Sequence, residues 1–309
     1  MESFTFRNDY QPPPQSSVKS PTHGDTPPEQ YDLNFNGGPV PILASSKVTL
    51  IPFLPAWHAP HYASLLKDDE DLVKFMPYIP NPAHGYEALL ECYEKVIRAV
   101  PGNVIFAVFD TSGKTSAPVV VPSNIQLPDW HPPMESFAGV MGLLNTDRDF
   151  LATEIGHIVV LRHAQRTHVS SHAIGLLLHY ALDHPYVQIP SSRIPSLSSA
   201  GSVDEVEPLH SPFVASPITQ PQRALGLRRC QWQCHHLNEP SSRAAQRMGF
   251  KPEGLIRMQR IVATGDEPGR PGDGGFTGSR TSWMGSVTWQ DWENEGVRDW
   301  VDRQMSREM

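Results

Sequence analysis

Cysteine is scarce: Cys92, Cys230 and Cys234 are the only three in 309 residues, too few and too unevenly spread for a disulfide framework. A reducing compartment suits that usage. No apolar run approaches the length of a bilayer span, and the opening MESFTFRNDYQPPP has neither the charged start nor the apolar stretch of a signal peptide. The expected location is therefore the cytoplasm, with no membrane role. Basic residues are outnumbered, 25 Lys and Arg against 33 Asp and Glu for a formal charge of −8, which argues against a nucleic-acid surface. It leaves room for a local basic patch around an anionic ligand. Neither HExxH nor a paired CxxC occurs.

The chain is not short of apolar residues, 39% of the total, enough for a globular core. Its 31 prolines mark the organisation. Residues 1–43 lack periodicity and read as a disordered or flexible N-terminal arm, and residues 44–309 as one domain. A Pro- and Ser-rich stretch at about 185–222 reads as an insertion into that domain, because a loop so long is foreign to a compact unit.

Between these markers, periodicity sets out an order of elements. Strands are expected at 46–54, 104–109, 137–144, 153–161, 228–234, 253–262 and 282–289. Helices are expected at 57–66, 86–100, 169–182, 240–248 and 292–305, the fourth opened by Pro240 and stopped at Gly249. This is a mixed α/β domain with a central sheet. The stretch TEIGHIVVLRHAQRTHVSSHAIGLLLHYAL, from Thr153 to Leu182, is its organising element: a strand, a polar turn and an amphipathic helix that Ser170 or Ser171 can cap. Such a turn presents free N–H groups and the positive end of a helix dipole, a site for an anion and most often a phosphate.

Three segments, LGLRRCQWQCHHLNEPSSRAAQRMGF at 225–250, the strand–turn–helix from Glu154, and RTSWMGSVTWQDW at 280–292, resemble the GCN5-related N-acetyltransferase (GNAT) superfamily. Within it they are similar to the RimJ/RimL-like ribosomal-protein alanine acetyltransferases. The resemblance spans about 46–305. It implies the acyl-CoA N-acyltransferase fold, a mostly antiparallel sheet splayed between its two middle strands, here about 153–161 and 228–234, and flanked by helices. It also implies acetyl-CoA as donor. Backbone groups of Val159, Val160 and Leu161 would pair with the pantetheine arm, and the turn Gln165, Arg166, Thr167, His168, Val169 and Ser170 would hold the pyrophosphate. Asn238 and Ser241 would face the arm or the sulfur. The oxyanion would meet a backbone N–H near Val160 or Leu161.

Two departures stand out. His168 and Ser170 occupy places where the family turn has small residues, so His168 would donate a hydrogen bond instead, with Arg162 or Arg166 adding charge. Ala245 stands where many members have a tyrosine acid; a thiol pKa near 8.5 makes its absence tolerable. Glu154 is the candidate base, with the alternative that it is a strand-end carboxylate paired to a surface cation. His157, three residues on, faces the other side of a regular strand, so only one of the two can look into the cleft.

A rival reading is metal: His163, His168 and His172, with Cys230, Cys234, His235 and His236, supply ligand types. The cysteines are better read as small buried residues, and no metal is expected. Segments 67–84 and 265–278 are the acceptor walls implied by the resemblance. The acidic run Asp68–Asp71 either attracts an amine or is a solvated helix end, and Trp283 is core or pocket rim. The function that follows is acetyl transfer to a primary amine by direct attack, with a protein N-terminus as the favoured acceptor. A small-molecule amine, or a non-catalytic CoA-binding protein of the same fold, are the alternatives.

Overall fold

The computed structural model describes residues 23, 26–27, 30–67, 69–76, 78–79, 84–118, 126–184, 224–262, 267–270 and 278–307. The expected insertion at 185–222 and most of the arm before residue 30 lie outside them. The end of the arm does not behave as an arm. Tyr31 and Leu43 are buried, Pro39 accepts the Tyr180 hydroxyl, and Asn36 N–H donates to Pro101.

One sheet carries the molecule, in the order β1-β2-β3-β4-β5-β6-β9-β7, with β8 paired to β9. The strands are β1 (Leu43–Ala44), β2 (Val48–Pro52), β3 (Val104–Asp110), β4 (Phe137–Asp147), β5 (Ala152–Val160), β6 (Arg229–His235), β7 (Lys251–Val262), β8 (Glu267–Pro268) and β9 (Gly278–Thr288). Every pairing is antiparallel except β5 with β6. That exception follows from helix α3 (Val169–Leu182), the crossover that returns the chain to the same end of the sheet.

The two faces bury different sets. One face packs Leu50, Phe106, Met141, Ile155 and Trp232 against α3 and α6 (Val297–Met305). The other packs Ile51, Phe53, Phe109, Phe137, Val140 and Val159 under α1 (Pro55–Leu66) and α2 (Gly85–Tyr93), whose last residues wind on as a π-helical turn to Arg98. Helix α4 (Glu239–Arg247) follows β6. The last helix, expected to be continuous over 292–305, is two: α5 (Trp289–Glu293), held by a Thr288–Asp291 capping box, and α6, separated by Gly296 at φ +76°.

The sheet is irregular where β4 meets β5. Gly142 pairs with Gly156 but Val140 with Val159, so β5 carries one extra residue, and His157 takes φ +51° there. Opposite the bulge, Gly139 has φ +141°, and a Cβ on it would lie 2.0 Å from the Val159 carbonyl oxygen. Gly139→Ala is expected to reduce stability by about 3 kcal/mol through this clash and the forced backbone angle. Thermal denaturation checks it; an unchanged midpoint would show that the bulge can relax.

Candidate active site at the parting of two strands

Strands β5 and β6 pair only through Ala152–Arg229, Thr153–Cys230 and Glu154–Gln231, and beyond that rung they part. Backbone alternation decides which groups then look into the gap. Leu161 N–H donates to Ala138, and the Val159 carbonyl is aimed at Gly139, so both residues are committed to β4. Val160, between them, turns its amide into the gap, where its carbonyl accepts from Gln165 Nε2 at 2.9 Å. Of the three residues expected to offer backbone to a ligand, Val159 and Leu161 therefore spend these groups on β4, and Val160 is the one turned toward the gap.

The turn at 162–168, expected to hold an anion, closes the wide end of the gap. Arg162 to Ala164 form a short 3₁₀ turn, Arg166 takes φ +59°, and α3 starts at Val169 with His168 as its N-cap residue. Neither Ser170 nor Ser171 caps the helix; both lie inside its first turn. Thr167 Oγ1 donates to Ala164 and accepts weakly from Val169 N–H at 3.3 Å. His168 does not point at an anion. Its Nε2 lies 3.0 Å from Asp110 Oδ1 at the end of β3, with both side chains buried. Arg162 is likewise spoken for, in a two-pronged pair with Asp69 at 2.5 and 2.6 Å. Asp69, from the acidic run, thereby ties the segment after α1 to the turn. What remains for an anion is the backbone of the first turn of α3, with Ser170 half-buried and Arg166 exposed beside it.

Asn238 caps α4 by accepting Ser241 N–H, and Ser241 Oγ accepts the Trp232 indole N–H at 3.0 Å. Both side chains fix the helix against β6. Ala245 is wholly buried in the core, so this position of α4 offers no acid. Among the described residues no group of three or more His, Cys, Asp or Glu is placed to hold a metal ion. His172 instead pairs with Ser45 at 2.8 Å, and Cys230 and Cys234 are buried.

At the vertex, Glu154 is 4% exposed on the face under α1 and α2. Asn145 Nδ2 donates to its Oε2 at 3.2 Å, and Gln231 adds a second bond. Burial pushes its pKa up from 4.5 to about 7, against the pull of Arg260 and Arg280. His157 does not face away. The extra residue resets the alternation, since Ile155 and Ile158 both pack on the α3 side, and the His157 ring lies 5.8 Å from that of Tyr78 on the Glu154 side. Burial holds it neutral, with a pKa near 4, and its Nδ1 has no hydrogen-bond partner among the described residues. The bulge thus overturns the expectation that only one of the pair can enter the cleft.

Tyr78 hangs over this floor from the segment after α1, its carbonyl accepting the Cys92 thiol. Phase across β6, β9 and β7 sets the rest. Trp232 and Cys234 belong to the α3-side core, so Gln231 and His235 face the cleft, and in register with them so do Ser282, Arg280 and Arg260. Phe75 closes on the His235 ring at 5.2 Å. Tyr78, Arg260 and Arg280 escaped the sequence reading as site residues. Tyr78 sits among prolines without period, and the arginines meet only through a register that a bulge at 257–259 offsets. A cavity of about 600 Å³ lined by Asp110, Trp130 and Glu135 lies apart from this cleft.

The model of the acetyltransferase (GNAT) domain matches residues 47–251. No curated protein is significantly similar in sequence. Solved structures are similar in fold: a GCN5-related N-acetyltransferase from Brucella melitensis, 19% identical, with 86% of this chain and 87% of that one covered, at a TM-score of 0.53. RimJ from Mycobacterium smegmatis in complex with CoA-disulfide is 14% identical over 85% of this chain and 91% of that one, at a TM-score of 0.50.

Proposed function

The chain belongs to the GNAT acetyltransferase family, and from that premise we propose that the acetyl group of acetyl-CoA passes at the β5–β6 parting to a protein N-terminus held beside Glu154. The observation that carries the reading is the parting itself, with an inward Val160 amide and a buried carboxylate of pKa about 7 at its vertex. Bound acetyl-CoA supplies a thioester carbonyl. The residues fit it: a free strand edge pairs with pantetheine amides as an added strand would, and the α3 N-terminus receives the pyrophosphate.

Glu154 accepts a proton as the amine nitrogen bonds to the carbonyl carbon. An α-amine of pKa about 7.7–8.0 lies within roughly one unit of that carboxylate, whereas a lysine amine near 10.4 does not. The near match favours an N-terminus. Val160 N–H faces the charge that develops on the carbonyl oxygen. The carbon–sulfur bond then breaks, and the thiol's pKa of about 8.5 lets sulfur leave as the anion. His157, held neutral, and Tyr78 wall the amine off from water.

Calorimetric titration with acetyl-CoA tests the reading, using Ser170→Asp as the contrast. A carboxylate in the first turn complements the helix dipole and leaves the fold intact, but it opposes a phosphate. Micromolar binding is expected, weakened at least about tenfold in the variant by like-charge repulsion at contact distance. No binding to the wild-type protein would sink the assignment, and equal binding to both would move the pyrophosphate elsewhere.

A further inference from the structure

Arg280 on β9 and Arg260 on β7 are Cα partners across an antiparallel pair. Like charges directly opposed on one face of a sheet repel, and such a pair normally recruits a carboxylate. Among the described residues no carboxylate forms an ion pair with either arginine. Arg280 is 6% exposed, its Nε is buried without a partner, and neither arginine side chain forms an ion pair among the described residues. The charged and titratable groups in electrostatic reach of Arg280 are Arg260, Tyr78, Cys234 and Glu154. Glu154, the one carboxylate in that set among the described residues, is already hydrogen-bonded by Asn145 and Gln231.

A buried guanidinium facing a second cation, with no carboxylate paired to it among the described residues, is expensive to hold, and burial together with Arg260 pulls its pKa down. An anion brought by a ligand removes that penalty through a charge-assisted, two-pronged contact. The donor's phosphates do not reach it, because they belong at the α3 N-terminus, while Arg280 shares the acceptor side with Tyr78 and Glu154.

We propose that the acceptor is an amine whose own skeleton carries a carboxylate a few bonds away, with Arg280 and Arg260 binding the carboxylate while Glu154 faces the amine. This rests on the acetyl-transfer reading above and specifies the acceptor by its carboxylate, whether or not the amine belongs to a protein. Two sources have that chemistry, a free α-amino acid and a peptide N-terminus that opens with Asp or Glu. Polyamines do not, and the two arginines repel them.

The test compares kcat/KM for matched acids and amides: free glutamate against its α-amide, and peptides opening with Asp or Glu against Asn or Gln. An acid-to-amide ratio of about ten to a hundred is expected in the matching pair, the range of one hydrogen-bonded charge. In Arg280→Met the ratio falls to near one, and Arg260→Met lowers it partway. Preference in the free pair assigns a small-molecule acceptor, and preference in the peptide pair an acidic N-terminus. A ratio near one in both wild-type pairs overturns the proposal while acetyl transfer stands. Failure to bind acetyl-CoA overturns both. Should neither amine be turned over while acetyl-CoA binds, calorimetry of the acid and amide with the CoA complex decides in the same way, equal binding overturning the proposal.

Discussion

Glu154→Gln is expected to lower kcat about a hundredfold at pH 7 and to leave acetyl-CoA affinity within about twofold, the usual range for loss of a positioned general base. The wild-type rate should climb with pH through about 7 as the carboxylate ionises, and the variant should lose that limb. Stability should move the opposite way. The folded pKa is raised above the unfolded value, so the folded state holds its proton more tightly, and stability present below pH 4.5 is lost as pH rises through about 7. Two and a half pKa units correspond to about 3 kcal/mol at pH 8, which the neutral glutamine does not lose. Denaturant melts at pH 5 and pH 8 should therefore show a variant close to wild type at the lower pH and more stable at the higher. A variant within threefold of wild-type activity would remove Glu154 as the base. Equal stability differences at both pH values would show that the carboxylate is not buried as described.

Part of this site can be read from sequence and part cannot. Glu154 stands out in sequence as a carboxylate on the central strand, but that it is buried instead of paired to a surface cation is visible only in the fold. The turn at 162–168 is legible as a polar break between two apolar stretches, and helix α3 from its period of apolar residues. His157 was misplaced, because alternation assumes one residue per rung and a bulge leaves no composition signal; its trace is a register that only the partner strand reveals. That Val159 and Leu161 serve β4 was hidden for a related reason, since sequence distinguishes side-chain faces but not which edge each amide serves. His168 looked like a phosphate ligand from its neighbours in the chain. Its real neighbour, Asp110, is 58 residues away at the end of another strand.

Replacing His179 by leucine is expected to reduce stability by about 3–5 kcal/mol at pH 6, the loss when a buried ion pair is broken from one side. The imidazole lies between two carboxylates, Nδ1 at 2.8 Å from Asp183 and Nε2 at 2.9 Å from Asp302, so both ring nitrogens donate and the ring carries a proton. Burial alone would depress its pKa, but the two carboxylates outweigh it and raise the value above 6.5. The stability this supplies is complete below pH 6.5 and fades as pH rises through the folded pKa, so the gap between wild type and variant should narrow from pH 6 to pH 9. Asp183 keeps two other donors, the Trp292 indole and Arg298, so Asp302 is the group left exposed to the loss. His179→Leu combined with Asp302→Leu should accordingly recover most of the deficit. The cluster stands at the C-terminal end of α3, the helix whose other end faces the β5–β6 gap, and it clamps that helix to α6. Loss of the clamp should therefore lower acetyl-CoA affinity only near the melting transition, which calorimetry at 10 °C and 30 °C would separate from a direct effect on the site. A constant gap across pH would show that the imidazole is neutral in the folded protein.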